Sequence, residues 1–130
     1  MSPRSLGAAL VTAALLVTGC GPHRGPASSQ YAFVVFTNES LNQADVYAFG
    51  TAGDRVRLGT VFGAHTDTLR LDLRTISGSG TLSVRARIIA TGRTPGTGQV
   101  LVHPGDYLRV TLPSSENMLT ALVAQRPDST

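Results

Sequence analysis

From Tyr31 onward the chain is written as short runs of β-branched, aliphatic and aromatic residues. They recur about every ten positions, with turn formers between them. The runs predict strands over Tyr31–Thr37, Asp45–Gly50, Arg55–Phe62, Thr66–Leu73, Thr81–Ala90, Gln99–Val102 and Tyr107–Leu112. Alternation is cleanest in three of them. Leu69, Leu71 and Leu73 oppose Thr68, Arg70 and Asp72; Leu82, Val84, Ala86 and Ile88 oppose Ser83, Arg85 and Arg87; Leu108, Val110 and Leu112 take the same inward parity. A period of two means that one face of each strand is buried and the other is wet. Val56 and Leu58 likewise face away from Arg55 and Arg57. Met118–Gln125 is ambiguous: its Met, Leu and Ala content suits a short helix, whereas its length and the turn before it suit an eighth strand, which is our assignment.

The connections carry their own chemistry. Thr51–Asp54 has the form of a hairpin turn, in which Gly53 supplies a backbone angle costly for other residues. Pro104-Gly105 inside His103–Asp106 suits a type II turn. Ser77–Gly80 is expected to be a flexible turn, and Gly92–Gly98, with Pro95, a loop of the kind that carries binding. Seven or eight antiparallel strands within residues 31–125 predict an all-β fold, a small antiparallel β-sandwich of immunoglobulin-like or related Greek-key type. The chain has no tryptophan and a single cysteine, so any likeness to antibody domains is architectural.

The region before the strands has a different character. Arg4 is the only charge ahead of Cys20, and Leu6–Val17 is an apolar stretch. Such a stretch is shorter than the roughly 20 residues that span a bilayer, and it has the layout of a secretory signal peptide. Val17-Thr18-Gly19-Cys20 resembles the lipobox of bacterial lipoproteins. That resemblance implies cleavage between Gly19 and Cys20, a diacylglyceryl group on the Cys20 sulfur and a fatty acyl group, such as palmitate, on its amine. An incidental cysteine beside an ordinary secretory cleavage site is the alternative, but no good small-x-small site lies just before Cys20, and a redox or metal role lacks a second cysteine. Two or more acyl chains anchor stably where one does not. The expected organisation is a cleaved signal peptide over 1–19, a lipidated cysteine and flexible tether over 20–30, a β-sandwich over 31–125 and a loose tail over 126–130. Arg57–Val61 and Val102–Val110 are also similar to segments of small uncharacterised bacterial lipoproteins, which supply no activity. The implied location is the bacterial cell envelope, and, with Gly21 rather than an acid after the cysteine, the outer membrane of a diderm.

Charge narrows the partners. The formal net charge is +3, every basic residue is arginine, and the arginines form no run, which does not support nucleic-acid binding. Arg55, Arg57, Arg70, Arg85 and Arg87 all take the outward parity of their strands. Sharing one sheet, they would make a basic face for anionic headgroups, a glycan or an acidic partner. The plainer account is a solvated surface whose charges discourage edge pairing.

Catalytic chemistry is not legible. His23 falls in the tether, and His65 and His103 fall in separate loops; His65 and Asp67 share a parity but have no evident third metal ligand. Ser77, Ser79, Ser83, Ser114 and Ser115 lack a neighbouring base, and Gly96-Thr97-Gly98 lacks the third glycine and helix of a phosphate loop. The expectation is therefore no enzyme, no cofactor and no metal. The chain reads as a membrane-anchored structural or protein-binding module whose Gly92–Gly98 loop and sheet edges meet an envelope protein or glycan. A small-ligand carrier or periplasmic chaperone is the alternative, and it calls for an inter-sheet cavity lined by Phe33, Val35 and Leu69. A hydrolase built on His65 and Asp67 would require a serine or a metal ligand within bonding reach.

Overall fold

The computed structural model describes residues 30–124, so the lipobox, the tether before Gln30 and the tail lie outside the described residues. Eight strands form: β1 Tyr31–Asn38, β2 Ala44–Phe49, β3 Arg55–Val61, β4 Thr66–Asp72, β5 Thr81–Ile88, β6 Val100–Leu101, β7 Tyr107–Leu112 and β8 Thr120–Ala124. The ambiguous C-terminal run is a strand, as its length suggested. Leu73, read as the end of β4, instead opens a single 3₁₀ turn, Leu73–Thr75. The Asp72 carboxylate caps that turn by accepting from the Arg74 amide at 3.0 Å.

The strands make two four-stranded sheets, β4-β1-β7-β8 and β3-β2-β5-β6. The chain is an all-β sandwich. Hairpins join β2 to β3 and β7 to β8, and β1 and β7 run parallel, which corrects the wholly antiparallel expectation. Immunoglobulin order places the first two strands in one sheet, whereas β1 and β2 here lie in opposite sheets. The strand order therefore departs from that of an immunoglobulin domain.

Alternation builds the core. Ala32, Val34 and Phe36 of β1, Ala44, Val46 and Ala48 of β2, Leu82–Ile88 of β5 at every second position, and Leu108, Val110 and Leu112 of β7 are all buried. Small residues oppose larger ones across the pairs: Ala44 faces Ile88, Val46 faces Ala86, Ala48 faces Val84 and Ala32 faces Leu71. Pairing small with large side chains along each sheet keeps the summed volume of neighbouring positions even. In β3 the register slips opposite Val46 and Tyr47: Val46 pairs with Gly59 and Tyr47 with Arg57, leaving Leu58 as an extra residue. This β-bulge reverses the parity of the residues after it. Val61 is buried and Phe62 is 58% exposed, where unbroken alternation from Val56 and Leu58 would have turned Phe62 inward.

The turn chemistry at Gly53 and Gly105 holds. Their φ angles are 84° and 88°, and the Asp106 amide closes the Pro104-Gly105 turn onto the His103 carbonyl at 3.0 Å. Ser77–Gly80, expected to be a flexible turn, is held on both sides. The Ser77 amide donates to Asp54, Thr81 N donates to Gly78 O, and Val102 N donates to Gly80 O.

One buried polar residue stitches three connections together. Asn38, 1% exposed, donates from Nδ2 to the carbonyls of Asn42 (2.7 Å) and Val61 (3.2 Å), and its Oδ1 accepts from the Ser40 amide (3.0 Å). Asn42 continues the network to Glu116 in the β7–β8 turn at 2.7 Å. Replacing Asn38 by alanine leaves buried backbone groups unpaired, so Asn38→Ala is expected to cost about 1–3 kcal/mol in urea denaturation. Asn38→Asp should cost more than Asn38→Ala in the same measurement, because a carboxylate faces two carbonyl oxygens without a proton to give.

Candidate functional site

Burial of Ala44, Val46 and Ala48 sends Asp45, Tyr47 and Phe49 to the outer face of β2. β2 lies between β3 and β5, so these three side chains are flanked by Arg55, Arg57 and Thr60 on one side and Ser83, Arg85 and Arg87 on the other. The register crosses. Arg55 stands opposite Phe49 but places its guanidinium 5.5 Å from the Tyr47 ring centre, while Arg85 stands opposite Tyr47 and sits 4.5 Å over Phe49. Diagonal neighbours in a sheet are within reach of long side chains, and a cation over a ring face is attracted by the ring's quadrupole. Tyr47, Phe49, Arg55, Arg85, Arg87 and Thr94 line a concavity of about 280 Å³.

Four of the five arginines predicted to face outward thus share one sheet, and Arg70 does not. It lies on β4 in the opposite sheet, 4.0 Å over the Tyr31 ring. The condition for a single basic face is thus met by four arginines and not by Arg70, because parity says which way a side chain points and nothing about which sheet its strand joins. That opposite face carries Phe33 stacked on Tyr107 with ring centres 5.1 Å apart. Phe33 and Val35 alternate with buried Val34 and Phe36, so they point away from the interior and cannot line an inter-sheet cavity. All of the chain's three tyrosines and four phenylalanines lie among the described residues, and Phe36 alone is buried.

Thr94 comes from the Gly92–Gly98 segment, which is bound to β5 rather than looping free. Ile88 N donates to Arg93 O (2.8 Å), Ala86 N to Pro95 O (3.0 Å) and Thr97 N to Val84 O (2.8 Å), and Arg85 bridges Gly96. The segment covers the open side of β5 and forms one wall of the concavity.

Asp45 accepts from Thr60 Oγ1 at 2.6 Å and from Arg57 at 3.2 Å. The Thr60 hydroxyl, with further help from Arg57 and Arg87, holds its carboxyl below the ordinary range. Sequence reading missed two further acid locks. Asp54 accepts from the Ser77 hydroxyl and, at 2.8 Å, from the Ser77 amide, tying the β2–β3 turn to the β4–β5 connection. Ser77 Oγ also accepts from Ala52 N at 2.9 Å, so this serine is spent on the lock. Asp72 takes Arg74 in a fork, Nε at 3.0 Å and Nη2 at 2.9 Å. The Asp54–Ser77 pair was illegible because 23 residues separate its members. The aromatic floor left a weak signal, since Tyr47 and Phe49 share a parity, but they are larger than the Val46 and Ala48 that face inward and would themselves suit a core.

The remaining chemical candidates do not converge. His65 Nδ1 lies 2.7 Å from Gly63 O and its ring meets Phe62 edge-on, while His103 belongs to its own turn, where Asp106 accepts from the His103 amide at 2.9 Å. Among the described residues no three of His, Cys, Asp and Glu gather as a metal site would require.

No protein-family profile matches the chain, and no curated protein matches it. Among solved structures, an NMR structure of a protein from Eubacterium rectale aligns with 78% of this chain and 96% of that one, at a TM-score of 0.48 and 8% identity.

The carboxyls of Asp45, Asp54 and Asp72 are all held low, in each case chiefly by a side-chain hydrogen bond: from Thr60, Ser77 and Arg74 respectively. A depressed folded value means that the native state releases these protons more readily than the unfolded chain. Their stabilisation is therefore complete above the unfolded value of about 3.9 and is lost as pH falls through the folded values. The thermal midpoint should fall as pH is lowered from 5 to 2, and Asp54→Asn should make that decline shallower. An unchanged slope would remove Asp54 from the account.

Proposed function

We propose that this chain is a lipid-anchored protein of the bacterial cell envelope, held in the membrane through Cys20, and that its sandwich acts as a non-enzymatic binding module. The observation that carries the binding reading is the placement of aromatics and arginines. The core is filled almost entirely by aliphatic residues, while Tyr47 and Phe49 lie outside it beneath arginine guanidiniums. Aromatic and arginine side chains dominate the energetics of recognition surfaces, and exposing them forgoes the stability that burial would bring. The face of β3-β2-β5 is the principal surface in this reading, and its partner is an envelope protein or glycan.

The anchor reading rests on Val17-Thr18-Gly19-Cys20 behind the apolar stretch Leu6–Val17. With Gly21 after the cysteine, it places the mature protein at the outer membrane of a diderm host. The carrier or chaperone alternative is set aside, because Phe33 and Val35, which its cavity called for, face outward.

Expressed in a bacterium that processes lipoproteins, the chain should partition with membranes and begin at Cys20, with a mass increment for diacylglyceryl and acyl groups. Cys20→Ala should abolish the increment and the processing. A mature protein with an unmodified Cys20 thiol, or with another N-terminus, would overturn the anchor.

A further inference from the structure

We propose that the concavity on the outer face of β3-β2-β5 is a binding site for the phosphate group of a phosphate ester. The inference rests on the reading of this face as the binding surface and goes beyond the envelope protein or glycan named for it, giving the same face a phosphate-bearing ligand.

The charge balance comes first. Asp45 is the acid on this part of the face, and it is engaged by Thr60 and by Arg57 at 3.2 Å. Asp45 also stands opposite Arg87 in the register and is influenced by it. Among the described residues, Arg55, Arg85 and Arg87 have no carboxylate within ion-pair distance. Three guanidiniums therefore surround one bowl with a single acid beside it, already bonded to a fourth.

Preorganisation comes second. Arg55 and Arg85 are held over Tyr47 and Phe49 by ring contacts that consume none of their N–H donors. Thr94 adds a hydroxyl from a segment fixed by the Arg93 and Pro95 carbonyls on either side of it. A ligand would thus meet donors whose positions are already restricted, which lowers the entropy lost on binding.

The number of donors selects the ligand. A carboxylate offers two oxygens and one charge, enough for one guanidinium fork. A phosphate monoester offers three peripheral oxygens and a charge of about −1.5 to −2, which matches several guanidiniums around one centre. The bowl, at about 280 Å³, lies just below the roughly 300 Å³ at which small-molecule pockets begin. It therefore suits a phosphate with a small polyol or a single sugar attached. Such a group occurs both in soluble phosphate monoesters and in the headgroup of phosphatidic acid.

The two sources are separable with the full chain held in nonionic detergent at fixed ionic strength. It is titrated with inorganic phosphate, with glycerol 3-phosphate, and with phosphatidic acid doped into the micelles, phosphatidylcholine serving as the zwitterionic reference. The guanidinium resonances of Arg55, Arg85 and Arg87 are followed by NMR. Saturable shifts with the soluble esters assign a soluble ligand, and shifts with phosphatidic acid but not phosphatidylcholine assign a headgroup. Arg85→Glu/Arg87→Glu should weaken binding by about tenfold or more, as expected for loss of charged hydrogen bonds. Phe49→Leu, which keeps every charge, should weaken it severalfold through loss of the ring contact. Arg70→Glu/Arg109→Glu makes the same change of net charge on the opposite sheet and should leave affinity within about twofold, since remote exposed charges are screened. Absence of saturable shifts with all three phosphate ligands would overturn the site. So would equal losses from the two double variants. The mass at Cys20 in the same preparation reports the anchor independently, so failure of one reading is not failure of the other.

Discussion

The outer surface of this protein is governed by the burial of one parity of β2. Ala44, Val46 and Ala48 enter the core against Val84, Ala86 and Ile88, and once they do, Asp45, Tyr47 and Phe49 have nowhere to go but outward. Because β2 sits inside its sheet, what emerges is flanked on both sides, by β3 and by β5. Arginines on both neighbours then reach diagonally to the rings between them. The face is a consequence of core packing, and a one-residue slip of β2 would exchange it for a row of small aliphatic side chains.

Polar contacts at the connections hold that register. Asn38 joins the loop after β1 to the end of β3, and Asn42 extends the link to Glu116 after β7. Asp54 and Ser77 do the corresponding task where the β2–β3 hairpin meets the β4–β5 connection. Every buried side-chain polar atom described has a partner, so these networks carry little penalty for being inside. Strand edges are treated in different ways. β3 is bulged, β6 is two residues long, and the segment from Arg93 to Thr97 lies along β5. The last of these devices also brings Thr94 to the rim of the arginine bowl.

A core with a single phenylalanine implies a particular distribution of resources. Aliphatic side chains of graded size fill the interior by small-against-large pairing, which leaves the aromatics for the surface. There they stack on one another, as Phe33 does on Tyr107, or beneath guanidiniums, as Tyr31, Tyr47 and Phe49 do. Rings in these positions stabilise a fold only in part. Their other effect is to restrict long, flexible arginines.

Much of this was legible in the chain. Eight strands, the inward sides of β4, β5 and β7, and the turns at Gly53 and Pro104-Gly105 all come from alternation and from backbone angles, which are local properties. So does the outward parity of all five arginines. The tertiary structure alone decided which of them meet. Arg55, Arg57, Arg85 and Arg87 were brought to one sheet and Arg70 to the other, β1 was set parallel to β7, and an extra residue at Leu58 turned Val61 in and Phe62 out. The physical reason is that a strand's faces are set by its own residues, whereas its neighbours are set by how two sheets share one core. That choice depends on contacts between residues far apart in the chain, and no local pattern encodes it.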